Sequence, residues 1–265
     1  MKKLVYLFLA AVLALPVVSC NKDPKPSGKR DSVVDIGLVI TREDGTTYNL
    51  KFAACNLGAS SIVEIGDYYA WGETEPYYAS LSPLTWKEGK EKGYDMPSYK
   101  YANKSEYRLT KYCPKSQTLY WDRSARPEGP DGLTTLEPAD DAAHVLLGGS
   151  WRMMTEVEIN ALLALKDNPA YEWIPWAEMS EDGVSIHGLK IVQRATGNEL
   201  FFPAGGFSYG LIPDRDKEKR GMYWTASEGH EEAHNALHLT FSSTGSILGY
   251  SYRSNGYLIR PVMED

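Results

Sequence analysis

Apolar and polar positions alternate, in part, over residues 33–40, break at Glu43-Asp44-Gly45, and become extended again over 46–52. Alternation on both sides of a turn signal predicts a β-hairpin, and Asn56-Leu57-Gly58-Ala59 ends it. The next clear pattern is helical. Thr155 is followed three residues later by Glu158, a reciprocal capping box that satisfies free N–H groups at a helix start. Ile159, Leu162, Leu163 and Ala164 then share one apolar face. Asp167-Asn168-Pro169 stops the helix, because proline cannot continue it and restricts the residue before it. A helix over about 155–166 is therefore predicted. Ahead of it, Gly148-Gly149 permits a tight turn, and Trp151 is expected as a buried anchor.

Residues 183–202 predict a second hairpin turning at 195–198, ended by Pro203-Ala204-Gly205-Gly206. Residues 222–226, 236–241 and 257–262 predict three more strands. Between 66 and 121, tyrosines and tryptophans are interleaved with Gly, Pro, Lys and Glu without a period, which predicts long ordered loop with short elements. Neither a repeat nor an alternating βαβ rhythm is present. Short antiparallel strands, long loops and one or two helices place the chain in the α+β class.

The start of the chain has a different character. Lys2 and Lys3 precede an apolar stretch, 4–18, too short for a comfortable membrane span, and Ser19-Cys20 closes it. This order is similar to a bacterial lipoprotein signal, in which Cys20 becomes the lipidated N-terminus; an ordinary secretory signal with an incidental cysteine is the alternative. Residues 21–31 are rich in Lys, Pro, Ser, Gly and Asp and read as a solvated tether. That leaves 32–265 as a single domain. Without Lys2 and Lys3 the 28 basic residues become 26 against 35 acidic, a net charge of −9. Such an acidic surface argues against nucleic acid as a partner, and membrane association is expected through the lipid anchor only. Besides Cys20 there are Cys55 and Cys113, which form either one disulfide or two buried thiols.

Eight blocks carry a family resemblance in order: A-C-N-L-G-A (54–59), G-D-Y-Y-A-W-G-E-T-E-P (66–76), T-K-Y-C (110–113), D-D-A-A (140–143), G-G-S-W-R-M-M-T (148–155), F-P-A-G-G (202–206), Y-W-T-A-S (223–227) and R-P-V (260–262). The chain resembles the Fibrobacter succinogenes major paralogous domain of Bacteroidetes lipoproteins over residues 33–262. Met153-Met154 departs from the Pro-containing pattern often found there. The resemblance implies a C-type-lectin-like fold, related in architecture to the formylglycine-generating enzyme, in a lipid-anchored outer-membrane or cell-surface context. It implies no defined activity.

His230-Glu231-Glu232-Ala233-His234 fits the H-E-x-x-H zinc-peptidase pattern, which needs a helix to bring both histidines to one metal. Gly229 ahead, the strand pattern soon after, and the lack of a convenient third ligand make it a solvated loop instead. An oxidase of the formylglycine-generating type would need reactive cysteines late in the domain, and none follows Cys113. Asp140-Asp141 reads as a helix cap rather than a catalytic pair. No catalytic residue, metal or cofactor is therefore expected. The aromatic loops suit binding, since sugars stack apolar C–H faces on Tyr and Trp. Tyr77, Tyr78, Trp86 and Tyr94, outside the shared motifs, are the first candidates, with Phe207 and Tyr209 in the charged loop 207–220. Trp71 and Trp224 are expected in the core, and Trp173 and Trp176 fit either role. Glu75-Pro76-Tyr77 and Trp224-Thr225-Ala226 lack the residues of a calcium-dependent lectin site. The expected function is binding or adhesion toward a glycan or a fimbrial or other protein partner; the alternative is a structural surface lipoprotein.

Overall fold

The computed structural model describes residues 32–79, 85–86, 93–105 and 107–265, without the side chains of 78–79, 85–86 and 213–214. The expected leader, Cys20 and the expected tether lie outside the described residues. The predicted first hairpin is β1 (Val33–Thr41) against β2 (Thr47–Ala53), in register from Thr41↔Thr47 to Leu38↔Leu50 before a bulge. Two short strands follow, β3 (Tyr78–Ala79) and β4 (Thr85–Trp86). Helices α1 (Ala142–Leu147) and α2 (Glu156–Ala164) come next. Then follow β5 (Tyr171–Glu181), β6 (Val184–Gln193), β7 (Glu199–Pro203), β8 (Phe207–Tyr209) and β9 (Ile212–Arg215). β10 (Arg220–Glu228), β11 (Asn235–Ser242), β12 (Gly245–Tyr252) and β13 (Val262–Glu264) complete the chain. Every strand-to-strand ladder among them is antiparallel: three sheets, β1-β2-β13, β5-β6-β7 and β10-β11-β12, and two small hairpins, β3-β4 and β8-β9.

The capping box forms as predicted: Thr155 accepts from Glu158 N–H and the Glu158 carboxylate accepts from Thr155 N–H. Glu158 is fully buried, and Arg152 and the Tyr48 hydroxyl both donate to it. Burial opposes its ionisation, yet those donors win and its pKa stays below the usual value. Asp141 caps α1 by accepting from Ala143 and His144 N–H, as predicted. Asp140 instead accepts from Lys100, Lys111 and the Tyr112 hydroxyl. The predicted strand at 257–262 is corrected: Tyr257 and Leu258 make single bridges, and regular pairing begins at Val262. Trp151 is half-buried beside His144 and Arg152, not a core anchor.

The core is tied across long sequence distances. Trp71 donates from its indole to the Thr225 carbonyl (2.8 Å), and Trp224 donates to that of Tyr69 (2.8 Å). Both rings are buried, and burying a side chain of Phe size contributes roughly 1.5–3 kcal/mol. Arg260, buried over Phe202, donates to Asn56 Oδ1 and to the carbonyls of Ala53, Ala54 and Phe201 at 2.8–3.0 Å. Arg253, buried over Trp71, donates to the Asn235 and Tyr112 carbonyls. Most blocks that carried the family resemblance therefore meet in one aromatic and arginine-rich interior.

Candidate functional site

Four segments distant in sequence converge on an open cleft of about 400 Å³ lined by Asp95, Met96, Pro97, Tyr107, Tyr209, Tyr252 and Ser254. Each side chain has a local cause. Asp95 caps the single turn Met96–Ser98 by accepting from Ser98 N–H (2.9 Å). Tyr94 and Gly210 exchange both backbone hydrogen bonds (2.8 and 2.9 Å), which docks the β8-β9 turn carrying Tyr209 onto that segment. Ser208 and Gly256 do the same (2.8 and 2.9 Å), bringing in the chain that follows β12. Only glycine fits at 256: an added Cβ would meet Ser208 Cβ and the Tyr94 ring at 2.9 Å. Tyr107 is presented by a turn in which the Ser105 hydroxyl accepts from the N–H groups of Tyr107 and Arg108.

Tyr107, Tyr209 and Tyr252 are 54%, 48% and 43% exposed. Two of them rest on His234, which is buried. Its ring stacks on Tyr252 (4.9 Å between centroids, 23°) and meets the edge of Tyr107 at 6.1 Å and of Tyr120 at 4.9 Å. His234 Nε2 lies 3.1 Å from Glu232 Oε2, while Nδ1 has no hydrogen-bond partner among the described residues. Burial drives its pKa down against the pull of Glu232. The imidazole is thus a mostly neutral buttress for the ring walls.

The predicted ligand residues divide. Tyr209 is in the cleft. Tyr77 and Tyr94 are corrected: they are 2% and 0% exposed and stacked on each other at 4.2 Å. Their hydroxyls explain the burial, since Tyr77 donates to Glu73 (2.9 Å) and Tyr94 donates to the Tyr68 carbonyl (2.5 Å). Tyr78 and Trp86 pair across β3-β4, with side chains outside the described residues. Phe207 is half-buried against Tyr257 and away from the cleft. Sequence reasoning missed Tyr107, Tyr252, Asp95 and Ser254. The alternation at the end of β12, Tyr250-Ser251-Tyr252, was the available signal for one of them.

The disulfide reading of Cys55 and Cys113 is corrected as well. Both are free and buried, Cys55 in a small separate cluster with Ala54 and Ala59. The Cys113 thiol donates to the Gln117 carbonyl, and burial pushes it up to about 11, which leaves it unreactive. The H-E-x-x-H segment runs as a loop between β10 and β11. His230 is exposed and lies 2.8 Å from Glu156, while His234 turns into the tyrosines.

A second cavity, about 410 Å³, lies against Asn56, Gly58, Asp67 and Glu75, with Leu146 and Leu147 on its far wall. It carries two carboxylates but has aliphatic walls and a single, buried ring, Tyr69. The cleft is preferred as the site because it joins half-exposed rings to polar groups on an ordered frame. Among the described residues no helix is long and apolar enough to cross a membrane, and no group of three His, Cys, Asp or Glu side chains is placed to hold a metal. Compared with protein-family models, with curated proteins and with solved structures, the chain matches none.

Proposed function

We propose that this protein is a cell-envelope binding protein, held at the outer membrane or cell surface by a lipid on Cys20, with its ligand seated in the tyrosine cleft. The observation that carries this reading is the convergence of Tyr107, Tyr209 and Tyr252 from three separate segments: a turn and the ends of β8 and β12. All three stand half exposed, with hydroxyls that make no hydrogen bond among the described residues. Rigid aromatic side chains offer contact area at little entropy cost. The reading includes a C-type-lectin-like fold of the family named above, which the antiparallel strands, few helices and shared placement of the motif blocks support. Binding is favoured over catalysis because the best peptidase motif is a loop, no cysteine follows Cys113, and burial raises the Cys113 thiol rather than activating it.

The test uses the full-length protein on cells. Replacing Tyr107, Tyr209 and Tyr252 together by alanine abolishes cell adherence to immobilised glycans and matrix proteins while protein level and melting temperature hold. Equal adherence of the triple variant overturns the reading in favour of a structural lipoprotein. Cys20→Ala releases the protein from membranes or blocks its processing, and unchanged fractionation defeats the anchor.

A further inference from the structure

Resting on that binding reading, the geometry points to an uncharged hexose chain as the ligand of the Tyr107–Tyr209–Tyr252 cleft, bound without calcium. Three observations select it. First, among the described residues no two of the three rings touch each other; Tyr107 and Tyr252 touch His234 instead. A cage for a quaternary ammonium gathers its rings around one point, each within about 6 Å of the cation. Spaced faces suit successive sugar rings, whose C–H faces stack on aromatics while the hydroxyls point outward.

Second, the polar groups match hydroxyls. The Asp95 carboxylate spends one oxygen on Ser98 N–H, and its remaining acceptor capacity borders the cleft along with the Ser254 and tyrosine hydroxyls. A carboxylate accepts from sugar hydroxyls, and a serine or tyrosine hydroxyl both donates and accepts. Among the described residues no lysine or arginine lines the cleft, while Asp95 does, so sulfated or uronic-acid chains meet repulsion there. Third, the volume of about 400 Å³ falls within the roughly 300–1,000 Å³ of small-ligand sites.

The donor set among the described residues does not suit calcium. Asp95 is the one carboxylate lining the cleft among the described residues, and calcium takes six to eight oxygen ligands, several of them carboxylates in a protein site. Preorganisation comes from below: His234 fixes two rings, and the Asp95 cap and the Tyr94–Gly210 bridge fix the rim.

The experiment is titration calorimetry on the full-length protein with EDTA present. The probes are hexamers of β-1,4-glucose, β-1,4-mannose and α-1,4-glucose, with polygalacturonate and choline as charged rivals. Saturable binding of at least one neutral hexamer is expected. Tyr209→Ala and Tyr252→Ala each weaken it about tenfold or more, Tyr209→Phe retains most of it, and Asp95→Ser, which keeps a capping oxygen, weakens it less. Circular dichroism and melting temperature of Tyr209→Ala match the parent. Tyrosine-dependent binding of choline or polygalacturonate, loss of hexamer binding in EDTA, or no neutral hexamer bound at all overturns the ligand class. If the triple alanine variant still fails to adhere to cells in that last case, the binding-protein reading stands and only the sugar falls; if it adheres normally, both fall.

Discussion

Tyr94 and Tyr209 are neighbours, joined through the Tyr94–Gly210 backbone bridge, yet one is sealed in the interior and the other faces solvent. Tyr94 has both a stacking partner, Tyr77, and a backbone carbonyl for its hydroxyl; Tyr209 has neither among the described residues. The region around Tyr77, Tyr94 and Tyr68 spends its phenol groups on internal hydrogen bonds, while the region around Tyr107, Tyr209 and Tyr252 leaves them uncommitted among the described residues. Aromatic content alone does not mark a binding surface. The fate of each hydroxyl does, because a buried polar group must be satisfied from within.

Substitution turns this contrast into numbers. Tyr94→Ala removes a fully buried ring and is expected to lower stability by roughly 3–5 kcal/mol in denaturant titration; a loss below 1 kcal/mol would erase the distinction between the two regions. Tyr94→Phe keeps the ring but removes the hydroxyl's hydrogen bonds with the Tyr77 N–H and the Tyr68 carbonyl, for about 1–3 kcal/mol.

Two histidines extend the comparison to pH. His238 is packed between Trp224 and Tyr257, and burial holds its pKa down at about 4. Its neutral form is favoured in the fold, so its contribution is complete above the unfolded value near 6.5 and declines as pH falls toward 4. The span is worth roughly 3 kcal/mol. Glu228 has the opposite sign: burial, opposed by Arg253, raises it to about 7. Its contribution is present below its unfolded value near 4.5 and is lost as pH rises through 7. Between pH 4.5 and 6.5 the two offset each other, which flattens the parent's stability profile. Glu228→Gln is expected to expose a clear acid-side decline in melting temperature, and a profile parallel to the parent's would refute the pairing. His234, lowered in the same direction as His238, adds to that decline.

Smaller effects follow. Thr155→Ala removes the cap oxygen of α2 and is expected to lower stability by about 1 kcal/mol. Tyr209→Ala should move stability by no more than about 0.5 kcal/mol, as an exposed position does; a larger loss would put Tyr209 with the packed tyrosines.

How far the sequence was legible follows the range of the interactions. The β1-β2 hairpin, the α2 capping box and the 195–198 turn are set by neighbours within a few residues, and each was readable. β5 was missed because Pro175 interrupts its pattern; the strand carries proline at the register shift between Ile174 and Ala177, where the ladder is already broken. β12 was missed because Gly245 and Gly249 dilute its alternation, although a Cβ at 249 would lie 2.9 Å from the His238 ring. The cleft was hardest: Asp95, Tyr107, Tyr209 and Tyr252 meet only after the backbone exchanges at Tyr94–Gly210 and Ser208–Gly256 have formed. Position relative to shared motifs wrongly marked Tyr77 and Tyr94 as surface, since packing partners for a motif also lie outside it.

The grip of Arg260 on the first hairpin has a consequence in time. The carbonyls of Ala53 and Ala54 receive its guanidinium from 207 and 206 residues downstream. At a synthesis rate of about 5–20 residues per second, that is roughly 10–40 s during which the opening hairpin exists without its last clamp. Nor can β13 close the sheet against β2 any sooner. Contacts that span such distances form late in folding, so the β1-β2-β13 sheet is complete only after the segment carrying Arg260 and β13 has emerged.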